Sequence, residues 1–326
     1  MYNIIQKSNI WLSISGGLVA VSIIFIAIWG LNLGIDFTGG ALLEVEFKDT
    51  RPEVTAVQAS LSDLELSSFR AQPLGENGMV LRFQNISEEK HQEVLRRLEE
   101  LVNPQAVEQG LNDVSTSSSE ISTSTNELEE DLALKSVEEM RFDSVGPTIG
   151  QELKSRSITA IFIVLIAIVL YIAWAFRKVS KPVASWKFGL AALVALFHDV
   201  VITIGIFVIL GKLLNIEINT AFVAAILTVL GYSVNDTIVV FDRIRENLPK
   251  SEENFAGTVN ISVNQTIKRS INTSITTLLV LVSILIYGGE SIRSFVLALS
   301  IGVFIGTYSS IFLASPVLVV WEKLKK

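Results

Sequence analysis

The chain has 326 residues, half of them hydrophobic, with 33 acids and 26 bases for a net charge of −7. It has no cysteine and two histidines, His91 and His198, which excludes disulfides, thiolate metal sites and multi-histidine metal centres. There is no Walker A sequence and no Gly-x-Gly-x-x-Gly, so the residues offer neither ATP chemistry nor a cofactor site.

Apolar residues lie in long blocks, and a bilayer-spanning helix needs about 20 of them. The first block, Ile10 to Leu31, is flanked by Trp11 and Trp29 like an aromatic belt and reads as an uncleaved anchor. Residues 32–157 follow, a mixed segment with 24 acids and 11 bases, a net of −13. Within it, Ala41 to Phe47 alternates like a half-buried strand and Glu53 to Leu64 reads as a helix. Ser68 to Pro73 and Met79 to Phe83 suggest a hairpin about Asn77 and Gly78, and Ser87 opens a helix to about Val102. Glu138 to Val145 is a last strand. The order β-α-β-β-α-β predicts a ferredoxin-like α+β domain. Residues 112–130 are rich in Ser, Thr, Asn and Glu and read as a flexible loop, a tolerated insertion or a client-binding arm.

Five more spans complete the chain over 158–326: Ile158 to Phe176, Phe188 to Leu210, Ile218 to Phe241, Ile271 to Tyr287 and Phe295 to Val320. The expected fold is an all-α six-helix membrane bundle carrying an external ferredoxin-like domain. Arg177, Lys178, Lys181 and Lys187 follow span two, and Arg243, Arg245, Lys250, Lys268 and Arg269 follow span four. Lys323, Lys325 and Lys326 end the chain. The positive-inside rule then puts both termini in the cytoplasm and 32–157 outside.

Ionisable groups at membrane depth are costly and mark function by default. His198 and Asp199 lie near the middle of span three. Adjacent side chains point about 100° apart on a helix, so these two need not touch. Asp236 lies deep in span four, after Gly231, Ser233 and Asn235. Arg269 stands at the start of span five with Thr273 and Thr276 on its face. A carboxylate and a guanidinium on neighbouring helices can pair, and a proton arriving at the acid breaks the pair. The plainer readings are a structural hydrogen bond for Asp236 and snorkelling to headgroups for Arg269. Gly302, Gly306 and Ser310 form a small-residue stripe suited to close helix packing, here expected against a partner chain.

Six ordered segments resemble the SecD/SecF family of protein-export subunits in the RND superfamily. They are Gly34 to Gly40 (GIDFTGG), Val145 to Leu153 (VGPTIGQEL), Ala195 to Val200 (ALFHDV), Gly231 to Asn247 (GYSVNDTIVVFDRIREN), Gln265 to Ser270 (QTIKRS) and Gly306 to Phe312 (GTYSSIF). Asp36, Gly39, Gly40 and Gly231 are the motif residues. The resemblance implies an RND-type bundle and a heterodimer with SecD. It implies association with the SecYEG channel and use of the proton-motive force late in export. The partners would be unfolded exported polypeptides and protons, with no nucleic acid. By the same resemblance Asp236 and Arg269 match the family's proton-handling pair, with Asn235, Asp199 and His198 beside them as relay candidates. The expected location is the bacterial inner membrane, or the thylakoid membrane of a photosynthetic bacterium. Three rivals are a drug-efflux half-transporter, for which the outer segment is small, a passive scaffold, and a membrane hydrolase, for which no nucleophile–base–acid set is found.

Overall fold

The computed structural model describes residues 2–84, 86–103, 136–177 and 184–323. The loop expected at 112–130 lies outside them. Two compact units emerge: residues 1–34 with 155–326, and residues 35–154.

In the second unit a short helix, α2 (Ile35–Thr38), leads into β1 (Gly40–Phe47). Then come α3 (Val54–Ser60), β2 (Arg70–Leu74), β3 (Gly78–Phe83), α4 (Glu88–Val102) and β4 (Val137–Val145). The sheet order is β2-β3-β1-β4, every pair antiparallel. That is the ferredoxin-like arrangement expected from the sequence. Alternation explains it: Ala41, Leu43, Val45 and Phe47 of β1 and Met79, Leu81 and Phe83 of β3 are buried. They pack with Val57, Val94 and Leu98 of the two helices. Ser87 caps α4, its hydroxyl accepting from the Lys90 amide at 3.5 Å. Farther along α4, the Glu99 carboxylate accepts from the amides of Ser136 and Val137 at 2.7 and 2.9 Å, fixing the start of β4.

Six helices are long and apolar enough to cross a membrane, and all lie in the first unit apart from the first eight residues of the second helix, Pro147 to Lys154. They are α1 (Ser8–Trp29), α5 (Pro147–Ala175), α6 (Ser185–Leu214), α7 (Thr220–Asn247), α8 (Phe255–Tyr287) and a sixth built from three pieces. Those pieces are α9 (Glu290–Ser309), a π-helical turn (Ser310–Ala314) and α10 (Ser315–Lys323). Pro316 has no N–H to donate back along the helix, and the wide turn lies just ahead of it.

Several helices run beyond the expected spans: α5 starts at Pro147, ahead of Ile158, and α7 ends at Asn247, past Phe241. Ile218 falls outside α7: it bridges Leu33, and Asn219 caps the helix by accepting from the Phe222 amide at 2.9 Å. The helix that carries span five starts at Phe255, capped by Asn254, ahead of the apolar stretch from Ile271. A helix end outside lipid needs no apolar residues.

Helix α7 is central. It buries Phe222, Ile226, Val229, Ser233, Thr237, Val240 and Ile244, one face at helical spacing. At one end Phe188 and Phe241 meet edge-on at 5.2 Å, while Phe176 stacks on Phe188 at 5.3 Å. In α1 the buried residues are Ser8, Ser15 and Ser22, seven apart, while Ile10, Leu18, Val21, Ile24 and Ile28 face outward. Ser22 lies against Gly205 of α6, where an added Cβ would meet the Ser22 Cβ at 2.5 Å. Small residues thus let helices touch where no hydrophobic gain drives them together.

Candidate functional site

Two carboxylates lie among the packed helices, each held by hydroxyls. Asp199 of α6 is fully buried. One of its oxygens is 2.9 Å from Nδ1 of His198. The other accepts from Ser233 of α7 at 2.5 Å and from Ser309 of α9 at 2.8 Å. The adjacency of His198 and Asp199 left their contact open, and the structure closes it. The Nε2 atom of His198 is buried and has no hydrogen-bond partner among the described residues.

Asp236 of α7 is half-buried. It accepts from Ser270 of α8 at 2.5 Å and from Ser310 at the start of the π turn. Ser309 and Ser310, neighbours in sequence, therefore serve different acids. Ser233 and Asp236 lie three apart on one face of α7, so the acids occupy successive turns. Farther along α8, Ser274 bonds Thr307 of α9 at 2.5 Å, and the Tyr232 hydroxyl donates to Ser274 and Thr277 at 3.4 Å each. Four helices meet through one hydroxyl-rich set around two acids. Isolated carboxylates here would carry a heavy desolvation cost, and these bonds offset it.

Arg269 stands well inside α8, with Phe255 to Lys268 ahead of it. Its side chain is exposed and lines a pocket with Asp242, Arg243, Glu246 and Gln265. Among the described residues no hydrogen bond or ion pair joins it to Asp236; its neighbour Ser270 takes that position instead. Thr273 and Thr276 are exposed, and Thr276 bonds the Thr273 carbonyl at 2.8 Å. Asn235 and Gly231 are exposed, and nothing lies within 4 Å of a Cβ built on Gly231.

The small-residue stripe turns inward, correcting its expected use against a partner. A Cβ on Gly302 would meet Val229 at 2.2 Å, and one on Gly306 would meet Ser233 at 2.9 Å. The stripe is the seam between α9 and α7 of this chain.

The two motifs at the edges of the sheet domain meet each other. Gly39 (φ +74°) and Gly40 (φ +131°) turn the chain from α2 into β1. A Cβ on Gly39 would sit 2.8 Å from Pro147, and one on Gly150 would sit 3.0 Å from the Gly39 amide. Positive φ and contact this close both demand glycine. Asp36 lies in the first turn of α2, half-buried.

Sequence reasoning passed over Ser270, Ser274, Thr307 and Ser309. The signal was present: Ser262, Thr266, Ser270 and Ser274 recur every four residues along α8 and are all buried.

Comparison with known proteins agrees with this architecture. A model described as "Protein export membrane protein SecD/SecF, C-terminal" matches residues 125–324, and one described as "SecD/SecF GG Motif" matches 24–50. The chain is 42% identical over 306 residues to the protein translocase subunit SecF of Thermobaculum terrenum, covering 92% of this chain and 87% of that one. It is 36% identical over 325 residues to the SecF of Anaerolinea thermophila, covering 99% and 94%. The crystal structure of SecDF from Thermus thermophilus, titled a translocon-associated membrane protein, matches with a TM-score of 0.77 at 30% identity. A SecDF structure in a super-membrane-facing form matches with a TM-score of 0.63 at 29% identity. In both structures the match covers 99% of this chain and 39% of the SecDF chain.

Proposed function

This chain belongs to the SecD/SecF family of protein-export membrane proteins, and we propose that it is the SecF-type subunit of an accessory unit that draws on the proton-motive force late in export. The curated relatives support the SecF assignment: two of them, 42% and 36% identical and covered over 87% and 94% of their length, are SecF subunits. The remainder of such a unit would come from a SecD-type partner chain, and the unit would work beside the SecYEG channel on unfolded polypeptides. The chain would lie in the bacterial inner membrane with both termini cytoplasmic. It would act as a transport subunit with no hydrolytic step of its own.

One observation carries the proton reading: Asp236 joins three helices through hydroxyls that can each donate or accept. An ionised Asp236 only accepts, which suits the bonds from Ser270 and Ser310. A protonated Asp236 carries an O–H donor, so at least one of these hydroxyls must turn or leave. Proton arrival thereby loosens α8 and the π turn from α7. A small rotation of α8 would bring Arg269 in place of Ser270, giving the ionised acid a charged partner. The reading thus has two ionised arrangements, the serine-held one and an arginine-held one, with protonation as the step between them. Each charge crossing the full field gains about 2.3 kcal/mol per 100 mV, enough to bias a two-state element by one to two orders of magnitude.

The test is export into inverted vesicles with and without a proton gradient. Asp236→Asn keeps size and hydrogen bonding but cannot ionise. It should assemble normally and lose gradient-dependent stimulation. Full stimulation in that variant would leave Asp236 a structural hydrogen-bond acceptor. Topology has its own check: single cysteines at Ser67 and Glu252 should be labelled from opposite sides, Ser67 from outside.

A further inference from the structure

A groove of about 730 Å³ lies between the N-terminal segment and α8. Its mouth holds two exposed lysines, Lys7 and Lys268, and neither forms an ion pair among the described residues. Its walls include Trp11, Ile267, Ile271 and Phe312, with Asn264 and Asn272 among them. Trp11 and Phe312 pack tilted at 42°, ring centroids 4.3 Å apart, and give it a firm side. The N-terminal segment is held in place there. Asn260 accepts from the Ile5 amide at 3.2 Å and donates to the Tyr2 carbonyl at 3.1 Å. Asn264 accepts from the Tyr2 amide at 2.6 Å and donates to the same carbonyl at 2.9 Å. A second groove of about 360 Å³ shares Ile271 and Phe312 with the first and continues between α8 and α9 past Ile275 to Leu278. Its lining is apolar apart from a few hydroxyls.

We propose that this continuous groove binds one anionic phospholipid, with the phosphate at Lys7 and Lys268 and an acyl chain along Ile271, Ile275 and Phe312. Charge complementarity selects the occupant. The lysines precede α1 and the apolar part of α8, so both stand at headgroup depth, while the lining beyond them is mostly apolar, with Asn272 and a few hydroxyls among it. A soluble phosphate would not use the apolar floor, and a neutral lipid would not use the lysines. Length agrees as well. From Asn264 to Leu278 the helix rises roughly 21 Å, enough for a headgroup and a chain in one leaflet of a hydrocarbon core about 30 Å thick. The occupied groove would tie the N-terminal segment to α8, the helix that carries Ser270 and Arg269. The proposal rests on the membrane reading of the chain and is independent of export.

The experiment is native mass spectrometry of the full chain in mild detergent, incubated with equimolar phosphatidylglycerol and phosphatidylcholine. The chain should retain phosphatidylglycerol with roughly thirty-fold preference, the contribution of two basic residues at the membrane surface. The double variant K7Q/K268Q should retain both lipids equally. Ile271→Trp keeps the lysines and fills the floor, and it should also lose the retained lipid. No preference in the unaltered chain, or undiminished preference in either variant, overturns the site. So does release of phosphatidylglycerol when a SecD-type partner chain is added, since a protein helix would then be the occupant.

Discussion

The sheet domain and the membrane unit solve opposite packing problems. The sheet domain buries Leu43, Val45, Phe47, Leu81 and Leu98 and leaves charge outside, as the hydrophobic effect in water requires. The membrane unit exposes Ile158, Phe162, Ile163, Ile166 and Leu170 of α5 and buries Ser22, His198, Asp199, Ser233, Ser270 and Ser309. Lipid is as apolar as leucine, so burying leucine gains little there. Close approach and hydrogen bonds hold the helices instead. Polar residues that would be liabilities in the sheet core are the fasteners of the bundle.

Matched substitutions break this comparison most sharply. Phe47→Ala should destabilise the sheet domain by about 3–5 kcal/mol, read as protease sensitivity confined to that domain. The exposed Ile163→Ala should change thermal stability by less than about 0.5 kcal/mol. Equal costs would refute the contrast.

Smaller, and in the bundle, is the seam between α7 and α9. Gly302→Ala puts a methyl into Val229 and should cost about 1–3 kcal/mol of stability in detergent. Adding Val229→Ala should recover part of that loss, because it empties the space the methyl needs. No recovery would mean that the two positions do not share the seam.

Next comes the serine pair. Ser309→Ala leaves Asp199 one donor short, and Ser310→Ala does the same for Asp236. Ser309→Ala should cost about 1–3 kcal/mol, the price of an unmet buried partner, and Ser310→Ala, beside the half-buried Asp236, somewhat less. Because the acids differ, Ser310→Ala should alter gradient-dependent export more than Ser309→Ala does. Identical export phenotypes would argue against separate roles.

The smallest effect is on the surface of the sheet domain. Glu93 accepts from Arg96, and more weakly from Arg97, and these bonds lower its pKa from 4.5 to about 2. Its contribution is therefore present above about pH 4.5 and fades as pH falls through about 2. Solvent screening limits such a pair to under about 1 kcal/mol. Chemical unfolding of Glu93→Gln should show a small, constant loss between pH 5 and 8, and the gap to the unaltered chain should narrow in acid.

Much of this architecture can be read from residue order. Alternation in β1 and the capping serine of α4 define the sheet domain because local pattern and tertiary burial agree there. The spans are readable because length and apolarity are what lipid demands. The helix start at Phe255 is hidden, since a polar helix end looks like a loop when only apolarity is counted. The contacts of Asp236 are hidden for a different reason. Which of Arg269, Ser270 or Thr273 reaches the acid depends on how α8 is rotated against α7, and no local pattern reports that angle. The inward turn of Gly302 and Gly306 is hidden likewise: a small-residue stripe advertises close packing without saying against what.

The pairing of Gly40 with Val145 carries a consequence for chain entropy. The sheet domain begins and ends on neighbouring strands, sealed by Gly39 against Pro147. A floppy connection of about a hundred residues would impose a closure cost near 4 kcal/mol on whatever it joined. A folded insert whose two ends are already side by side removes most of that cost. To the helices on either side, the whole domain then counts as a tight turn. Its interior can lengthen without changing the distance its ends must bridge.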